Sequence, residues 1–583
     1  MLTIQDAVSE AFSSLKLTPR DGQDQICVSV LEAFLTHQKS IVVVDAPTGS
    51  GKSVIGVVVS KALGLLTDPS EPTSVMITAT NSLAKQYERD FKASDTVYPL
   101  YGAGNYPCTL REEVLKKAFT AESCYKKSRY FYTAVEPLLG DAAEEHCGKC
   151  EFAISRSRKA TDSMIVTNYA YFIIDRMYMQ KIADADPGCG PTTFQKRPLF
   201  IFDEAHLINE MFVNHNAIFF SEARSREYLK DLGQLFGEDA PVVANYENTF
   251  RIILENIERS TIGPKNVEKF VGMLHRFYSF MHDTFEQRAN WSKTEADYDR
   301  LHGVRHKYHG LFCKTDDYFK FKYEVAVHCD QVAGELSVKP IFVKECFNHL
   351  RSKYNLFLSA TLSKEFIYET LALTDSDVEY VRVPYAFNAG DKRVRIPKRD
   401  TMLKLNYQTL KDPAVIKRLA ELCSIYAGLH PDESGLIVTT SFDLAERIAD
   451  QLVSPHQVIL HKRGERVEQA VTALKQRSSP SVLISPTLFE GIDLPGEESR
   501  FQIIAKAPYY SLADKRMSVI MRKHRQIYAM MNIMRLTQGL GRSTRFKGDT
   551  STSYFIDKNI TRLFNSKHNL WKGQFSVQKD FQP

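Results

Sequence analysis

Short runs of apolar residues, most of them β-branched or aromatic, recur along the chain and stop abruptly at polar or glycine-rich segments. Runs of this length without an alternating pattern are typical of strands that are buried on both faces of a parallel sheet. Six such runs predict strands at residues 41–44, 199–202, 356–358, 436–438, 482–484 and 502–505. We therefore predict an α/β fold built on parallel sheets.

The pattern changes between residues 207 and 335, where helical spacing takes over. The apolar residues that recur at this spacing are Phe270, Leu274, Phe277, Met281 and Phe285. They predict a buried helix face, not a binding surface. We interpret the stretch as a helical insertion, and we expect a strand at 336–343 that returns to the preceding sheet.

Composition narrows the class of protein only slightly. With 583 residues, 43% of them hydrophobic and 25% charged, the chain is expected to fold into several domains. The net charge of +5 is a weak tendency toward polyanionic partners. The N-terminus lacks the pattern of a signal peptide and no apolar run has the length of a membrane span. We therefore expect an intracellular protein, cytoplasmic or nucleoid-associated, without a membrane partner.

The first predicted strand runs directly into a loop with the sequence APTGSGKS, and helix-like sequence follows. Gly49 and Gly51 allow backbone N–H groups to turn toward phosphates, and Ser50 lies between them. Lys52 would reach the β- and γ-phosphates, and the Ser53 hydroxyl would bind Mg²⁺. A glycine-rich turn before a core helix is the alternative, but the strand–loop–helix context favours a phosphate-binding loop.

The strand at 199–202 ends in the sequence Asp-Glu-Ala-His. Nucleotides bind at the carboxyl ends of strands in open α/β sheets. Asp203 is therefore a candidate to hold Mg²⁺, and Glu204 is the candidate general base for the attacking water. An acidic pair at a strand end is more often solvated surface, but the upstream loop makes a catalytic pair the better interpretation.

Three further polar segments follow strands in the second half of the chain. Residues 359–361 read Ser-Ala-Thr, and Gly491 and Asp493 follow the strand at 482–484. The sequence QGLGRSTR then begins at Gln538. Its two arginines, Arg542 and Arg545, are candidates to stabilise charge on a transferring phosphoryl group.

In this order the motifs resemble those of superfamily-two helicases with a DEAH box, and the resemblance covers nearly the whole chain. It implies two RecA-like lobes with ATP between them, and it assigns Arg20 and Gln23 to the adenine side. It implies that Thr80 contacts the nucleic-acid backbone and that the Ser-Ala-Thr segment couples hydrolysis to movement. By the same resemblance, Gly491 and Asp493 link the ATP and DNA sites, and Gln538 belongs to the ATP site.

Four cysteines lie between Thr80 and Asp203, namely Cys108, Cys124, Cys147 and Cys150. The last two form a Cys-Gly-Lys-Cys pair with metal-ligand spacing, so the chemistry alone allows Zn²⁺, an iron–sulfur cluster or unliganded thiols. This placement resembles the XPD/DinG branch of helicases, which carries a [4Fe–4S] domain here. The resemblance implies that all four are cluster ligands, with Cys189 as the substitute if one is misassigned. Buried thiols without a ligand are expected at Cys27, Cys313, Cys346 and Cys423.

The same insertion is rich in interleaved cations and aromatic residues. Candidate contacts to DNA are Lys126, Lys127, Arg129, Tyr130 and Tyr132. A single strand needs positive charge for its phosphates and flat side chains on which its bases stack. For any one of these residues, a solvated basic face is nearly as good an interpretation.

The resemblance yields a domain plan and a function. The first lobe is expected at 1–101, 166–206 and 336–395, the cluster domain at 102–165, a helical Arch domain at 207–335 and the second lobe at 396–583. The short stretch before Gln23 leads us to expect no N-terminal nuclease domain of the kind some DinG relatives carry.

We expect an ATP-dependent 5′ to 3′ DNA helicase that binds single-stranded and forked DNA, with repair or replication proteins as possible partners and no required oligomer. The alternatives are an ATP-driven translocase or remodeller that unwinds weakly, and a non-catalytic scaffold in a repair assembly. The scaffold is disfavoured because Lys52, Asp203, Glu204 and both arginines are present together.

Overall fold

A computed structural model provides the fold. It describes residues 2–582 except 21, 47–49, 93–95, 108–149, 180–192, 195, 259–265, 290–309, 331, 383–390, 490–493, 495 and 545–547.

The first lobe is built on a seven-stranded sheet in which every neighbouring pair of strands is parallel. Its strands are β1 (Ile41–Asp45), β2 (Ser74–Thr78), β3 (Val97–Pro99), β4 (Met164–Asn168), β5 (Leu199–Asp203), β9 (Tyr354–Ser359) and β10 (Val378–Arg382). Their spatial order is β10-β1-β9-β5-β2-β4-β3. Alternate residues of β1 enter two different apolar clusters, one on each face of the sheet, as the run of β-branched residues predicts.

Helices cover both faces of this sheet. They are α1 (Ile4–Ser14), α2 (Gln23–Leu35), α3 (Lys52–Leu66), α4 (Asn81–Asp90), α5 (Glu151–Thr161), α6 (Tyr169–Ile174), α7 (Ile208–Asn216), α11 (Lys344–Leu350) and α12 (Lys364–Leu371). No helix within the described ranges has both the length and the apolar character needed to cross a bilayer.

The strand order brings distant motifs together. Strand β9 lies between β1 and β5, and the register pairs Asp45 with Ser359 and Asp203 with Leu358. The carboxyl ends of parallel strands meet at one edge of a sheet. The loop after β1, the acidic pair after β5 and the Ser-Ala-Thr segment after β9 therefore face the same place.

The second lobe is also a seven-stranded, fully parallel sheet. Its strands are β11 (Lys392–Pro397), β12 (Gly435–Val438), β13 (Gln457–Leu460), β14 (Ser481–Ser485), β15 (Phe501–Ile504), β16 (Ser551–Phe555) and β17 (Ser576–Phe581), in the order β13-β14-β12-β15-β16-β11-β17. Its helices are α13 (Pro413–Gly428), α14 (Phe442–Ala449), α15 (Val467–Lys475), α16 (Lys515–Lys523), α17 (Arg525–Leu540) and α18 (Lys558–Phe564). The predicted α/β architecture with two parallel-sheet lobes is confirmed. The second sheet also includes residues just before position 396, where the lobe was expected to begin.

A smaller domain interrupts the first lobe between β5 and β9. It combines helices α8 (Glu222–Phe236), α9 (Pro241–Glu258) and α10 (Val267–Ala289) with strands β6 (Ile218–Ser221), β7 (Val325–Asp330) and β8 (Glu335–Pro340). The predicted buried face lies on α10, where Phe270, Leu274, Phe277 and Met281 are all buried.

The expectation that the strand at 336–343 returns to the first lobe is wrong. Strand β8 pairs antiparallel with β6 and β7 in a separate three-stranded sheet. Its apolar residues alternate, and Leu336 and Val338 face the helices of the inserted domain. An alternating pattern marks a strand with one covered face, whereas the strands of the lobes are covered on both.

A buried arginine holds the two lobes together on the side of the inserted domain. Arg516 of α16 is 2% exposed, and it donates hydrogen bonds to the Glu210 carboxylate at 2.7 Å and to the main-chain oxygen of Ile341 at 3.1 and 3.2 Å. Three bonds from one guanidinium fix its orientation. The second lobe is thereby attached to the segment that joins β8 to α11.

Candidate nucleotide-binding site

The phosphate-binding loop is described only at its two ends, Ala46 and residues 50–53, and Gly49 lies outside the described residues. Gly51 precedes α3 with φ of +78°, a backbone conformation that favours glycine. A Cβ atom at this position would also stand 2.3 Å from Nε2 of Gln23. The backbone angle therefore favours glycine here, and a larger residue would also displace the amide of Gln23.

Gln23 is hydrogen-bonded to the main chain of this loop. Its side chain is 3% exposed, and Nε2 donates to the main-chain oxygens of Ser50 at 3.3 Å and Gly51 at 3.2 Å. Its Oε1 accepts from the backbone N–H of Arg20 at 3.1 Å. Gln23 thus lies against the loop and Arg20 is bonded to Gln23, and the predicted role of both on the adenine side stays a prediction.

Lys52 is the first residue of α3 and its side chain is almost fully buried. Its Nζ lies 3.4 Å from the main-chain oxygen of Ala46, to which it donates, and 3.8 Å from Oε1 of Glu204. The lysine therefore reaches back across the loop to the acidic pair. The two motifs, more than 150 positions apart in the sequence, form one charged cluster.

The acidic pair stands at the end of β5 in a tight turn. Glu204 has a left-handed conformation, with φ of +50°, which is uncommon for a residue with a side chain and typical of functional turns. Its backbone N–H donates to Oδ1 of Asp203 at 3.0 Å. The turn therefore holds the Asp203 carboxylate against the backbone of Glu204.

The two carboxylates have opposite pKa shifts. Burial raises the pKa of Asp203 to about 6, the Glu204 carboxylate adds to the rise, and Lys52 opposes it. Burial would also raise the pKa of Glu204, but the charges of Lys52, His206 and Arg542 outweigh it. The pKa of Glu204 is thus lowered below its usual range, and this carboxylate stays ionised at neutral pH.

A path of polar contacts leads from Glu204 to the second lobe. Oε2 of Glu204 lies 3.3 Å from Nδ1 of His206, which in turn lies 3.2 Å from the Ser359 hydroxyl. Ser359 Oγ accepts from the backbone N–H of Thr361 at 3.3 Å, and Gln538 Nε2 donates to Thr361 Oγ1 at 2.9 Å. Three motifs that are separate in the sequence are joined into one path across the cleft.

The second lobe also contributes Arg542. Its Nη2 donates to the main-chain oxygen of Phe489 at 3.1 Å, and its charge contributes to the lowered pKa of Glu204. Of the two arginine candidates, Arg542 therefore lies near the acidic pair. Arg545, Gly491 and Asp493 are outside the described residues.

Two buried residues beside this site were not anticipated from the sequence. The Tyr87 hydroxyl donates to Oδ2 of Asp203 at 3.1 Å. Asp45, the last residue of β1, has a pKa raised to about 6 by burial, against the opposing charges of Arg382 and Lys52, and it accepts a hydrogen bond from Trp571. An acidic residue directly before the loop was a usable signal for Asp45. Nothing in the spacing of Tyr87 indicated its partner.

Two family descriptions match the chain by sequence. "Type III restriction enzyme, res subunit" matches residues 16–231, and "Helicase C-terminal domain" matches residues 427–572. Two solved structures named XPD_Helicase and XPD_APO have TM-scores of 0.61 and 0.56 to this fold. They are 16% and 15% identical, over 96% and 95% of this chain and 100% of each of those chains.

The chain thus has a fold similar to that of the two XPD structures, and it matches a helicase C-terminal domain in its second lobe. No curated protein matches its sequence. The matched domains identify a nucleic-acid helicase that uses ATP with Mg²⁺.

The residues at the site fit the metal that accompanies ATP. Mg²⁺ prefers oxygen ligands and usually takes only one or two from the protein. The helicase offers the Ser53 hydroxyl on α3 and the Asp203 carboxylate on β5, and the Tyr87 hydroxyl is hydrogen-bonded to both. Ser53 and Asp203 are therefore the candidate Mg²⁺ ligands, as the sequence predicts.

The predicted cluster ligands are almost entirely outside the described residues, which exclude Cys108, Cys124, Cys147 and the substitute Cys189. Cys150 is described as a half-buried free thiol immediately before α5. Across the described ranges, no group of three or more Cys, His, Asp or Glu side chains could hold a metal. Four other cysteines, Cys27, Cys313, Cys346 and Cys423, are all buried, as expected.

Most of the predicted DNA contacts are also outside the described residues. They are Lys126, Lys127, Arg129, Tyr130 and Tyr132. Thr80 is described at the N-terminal end of α4. It is exposed, and its side-chain oxygen accepts from the backbone N–H of Leu83 at 3.2 Å.

Replacing Lys52 or Glu204 is expected to abolish ATP hydrolysis for different reasons. Lys52→Ala removes a cation that would neutralise phosphate charge, so nucleotide binding should weaken as well. Glu204→Gln keeps the size of the side chain but removes the base, so ATP binding should persist while turnover falls by about a hundredfold or more. Steady-state ATPase rates and the fluorescence of a labelled nucleotide measure the two effects. Near-normal turnover in either variant would show that the site is misassigned.

Proposed function

We propose that the chain is an ATP-dependent DNA helicase that binds single-stranded DNA, moves along it from 5′ to 3′ and unwinds forked duplex. The observation that carries the proposal is the path of polar contacts from Glu204 of the first lobe to Gln538 of the second. A path that spans a cleft changes its partners when the cleft opens or closes, which is what couples hydrolysis to movement. The preference for DNA and the polarity rest on the resemblance to the XPD/DinG branch.

In this proposal each charged group of the site has one task. Lys52 and Mg²⁺ neutralise phosphate charge, with Ser53 and Asp203 as the metal ligands. Glu204 orients and deprotonates the attacking water, for which its ionised state is suited. Arg542 or Arg545 completes the site from the second lobe when the lobes close.

The remaining nucleotide contacts follow the resemblance. Arg20 and Gln23 would lie beside the adenine, and the latter already supports the loop through Ser50 and Gly51. Gly491 and Asp493 would connect the ATP site to the DNA site.

A basic cavity on the second lobe supports contact with a polyanion. Its volume is about 600 Å³, and it is lined by one carboxylate, Asp580, and by five cations, namely Arg399, Lys404, Lys558, Arg562 and Lys579. Among the described residues no carboxylate forms an ion pair with any of these five side chains. Like charges gathered in a concave surface repel one another unless an anionic partner compensates them. The phosphates of a nucleic-acid strand are such a partner.

On the first lobe, the proposed strand contacts are Thr80 and the basic and aromatic residues of the insertion. Thr80 lies at the N-terminal end of α4, where backbone N–H groups favour phosphate. The insertion adds Lys126, Lys127, Arg129, Tyr130 and Tyr132, whose alternation of cations and rings suits a single strand.

We also propose that Cys108, Cys124, Cys147 and Cys150 hold a [4Fe–4S] cluster. The position of Cys150 supports this, because its thiol is half-buried immediately before α5 and is not enclosed in the apolar core. The cluster would tie together a chain segment that has little core of its own, and it would stabilise the insertion.

Two other functions compete with the helicase. An ATP-driven translocase or remodeller would use the same site without efficient strand separation, and a scaffold would not hydrolyse ATP. The charged cluster of Lys52, Glu204 and Arg542 favours catalysis over the scaffold. Repair or replication proteins are proposed partners, and the site requires no second copy of the chain.

Unwinding and hydrolysis measured together distinguish these functions. Single-stranded DNA should stimulate the ATPase, and forked duplexes with a 5′ tail, but not those with a 3′ tail only, should be separated. The Lys52→Ala variant, which lacks hydrolysis, is the control. Stimulated hydrolysis without strand separation would instead indicate a translocase, and an absence of hydrolysis would indicate a scaffold. Unwinding from a 3′ tail would show that the polarity is wrong.

Neutralising the basic cavity should weaken strand binding without affecting DNA-free hydrolysis. The triple variant Arg399→Gln, Lys404→Gln and Arg562→Gln removes up to three phosphate contacts. The slope of log affinity against log salt should therefore fall by about 2, equally for strands of different sequence. Fluorescence anisotropy over a salt series measures the slope.

The control for this variant makes an equal change of charge elsewhere on the second lobe. Lys417→Gln, Arg418→Gln and Lys475→Gln alter side chains on α13 and α15 that do not line the cavity. If both triple variants reduce the salt slope equally, the effect is one of net charge and the cavity is not a strand contact.

Replacing Cys108 or Cys150 with Ser should remove the broad visible absorption of anaerobically purified protein and abolish strand separation. Some ATP hydrolysis should survive, because the cluster ligands are separate from Lys52, Glu204 and the arginines. Cys189→Ser should leave both colour and unwinding intact. A colourless wild-type protein that contains zinc would exclude the iron–sulfur cluster, and loss of colour only in Cys189→Ser would show that the fourth ligand is misassigned.

A further inference from the structure

Two buried tyrosines contact Asp203 in different ways. The Tyr87 hydroxyl donates to the carboxylate oxygen Oδ2 at 3.1 Å, whereas the Tyr169 hydroxyl donates to the main-chain oxygen of the same residue at 3.3 Å. Tyr87 is 3% exposed and Tyr169 is 1% exposed. Only the first of them can influence the orientation of the carboxylate directly.

The Tyr87 hydroxyl has a second partner, the side chain of Ser53. It therefore stands between the two candidate Mg²⁺ ligands, one from the helix after the phosphate-binding loop and one from β5. The Tyr87 hydroxyl donates to the Asp203 carboxylate and accepts from the Ser53 hydroxyl, so it fixes the direction of the Ser53 proton. The lone pairs of Ser53 and Asp203 that are not used in these bonds are then available to a metal ion.

Few side chains of the helix that carries Tyr87 are buried. Within α4 (Asn81–Asp90), only Ala84 and Tyr87 are buried. A phenylalanine would fill the same space, so packing alone does not explain a hydroxyl placed on a buried carboxylate. The contact of Tyr87 with Asp203 is therefore a polar attachment of α4 to the end of β5.

The opposite end of α4 is the proposed strand contact. Thr80 caps this end and is exposed, and the adjacent Asn81 is hydrogen-bonded to Asn168 at 2.5 Å and to Asn105 at 3.2 Å. Seven residues separate Thr80 from Tyr87, which corresponds to about 10 Å along a helix. A helix transmits a displacement of one end to the other because its hydrogen bonds keep it rigid over this length.

We propose that Tyr87 is a positioning residue that couples strand binding at the N-terminal end of α4 to the arrangement of Ser53 and Asp203 for Mg²⁺. This coupling rests on the proposed function, because it requires that a nucleic-acid strand contacts Thr80. The positioning of Ser53 and Asp203 by Tyr87 does not depend on a strand and is tested separately.

The experiment measures metal binding itself, not turnover. Mn²⁺ replaces Mg²⁺, and its binding is followed by electron paramagnetic resonance in the presence of a non-hydrolysable ATP analogue, with and without a single-stranded oligonucleotide. In the wild-type protein the oligonucleotide should tighten Mn²⁺ binding. In Tyr87→Phe, Mn²⁺ binding should weaken by about tenfold without the oligonucleotide. The oligonucleotide should no longer change it.

Tyr169→Phe is the matched control. It removes a buried hydroxyl that is bonded to the main chain of Asp203 at the end of β5, and it leaves the contacts of the Asp203 carboxylate unchanged. Both variants should lower the melting temperature slightly, but Tyr169→Phe should keep the wild-type Mn²⁺ affinity and its response to the oligonucleotide. Equal loss of Mn²⁺ affinity in both variants would mean that general loosening of the turn is responsible, and the proposal would be overturned.

The remaining outcomes separate the inference from the proposed function. Unchanged Mn²⁺ affinity in Tyr87→Phe overturns the positioning role, and a retained oligonucleotide effect in that variant overturns the coupling. A further outcome is that DNA stimulates ATP hydrolysis by the wild-type protein without changing its affinity for Mn²⁺. In that case the coupling is wrong, but the proposed helicase function is not contradicted. If the wild-type protein binds no strand at all, the proposed function and the coupling fail together, while the oligonucleotide-free comparison still decides the role of Tyr87.

Discussion

Two carboxylates on consecutive residues, Asp203 and Glu204, are placed together at the buried end of one strand, and the rest of the site depends on how their charge is compensated. In surroundings of low dielectric constant, neighbouring negative charges repel strongly and each resists ionisation. Lys52 and His206 lie close to Glu204 and keep it ionised, whereas the pKa of Asp203 rises to about 6. Lys52 comes from a part of the first lobe that is distant in sequence from the acidic pair. The charge of the pair is therefore compensated only when the lobe is folded.

Groups of the second lobe also compensate the charge of the acidic pair, so the pair connects the two lobes across the cleft. The charge of Arg542 acts on Glu204, and Gln538 is bonded to Thr361 at the end of the path through His206 and Ser359. Arg516 of the second lobe is also buried against Glu210 and Ile341 of the first. The lobes therefore share a buried polar attachment at Arg516 and a second set of contacts beside Glu204. This division suits a motor whose lobes turn about a fixed region while the nucleotide side opens and closes.

In the inserted domain, the spacing of apolar residues along a strand indicates whether one face or both faces of its sheet are covered. Strand β8 has alternating burial because one side of its three-stranded sheet is covered by helices α8–α10. Strands β1, β5 and β9 are apolar at nearly every position because helices cover both faces of their sheet. The insertion begins after β5 and ends before β9, two strands that are neighbours in the first sheet. The chain therefore leaves the sheet beside the acidic pair and re-enters it at the opposite edge, where Tyr354 pairs with Leu199.

The sequence by itself determined six strands of the two lobes, the order of the motifs and the candidate roles of Lys52, Asp203 and Glu204, because runs of buried residues and glycine-rich loops are properties of neighbours along the chain. It did not determine which partners meet. The place of β9 between β1 and β5, the contact of Tyr87 with Asp203 and the bond from Trp571 to Asp45 join residues separated by more than a hundred positions. Such contacts depend on the crossing of strands and on the packing of helices against the sheet, which leave no local pattern. Only the tertiary structure therefore decided how the separate motifs form one site.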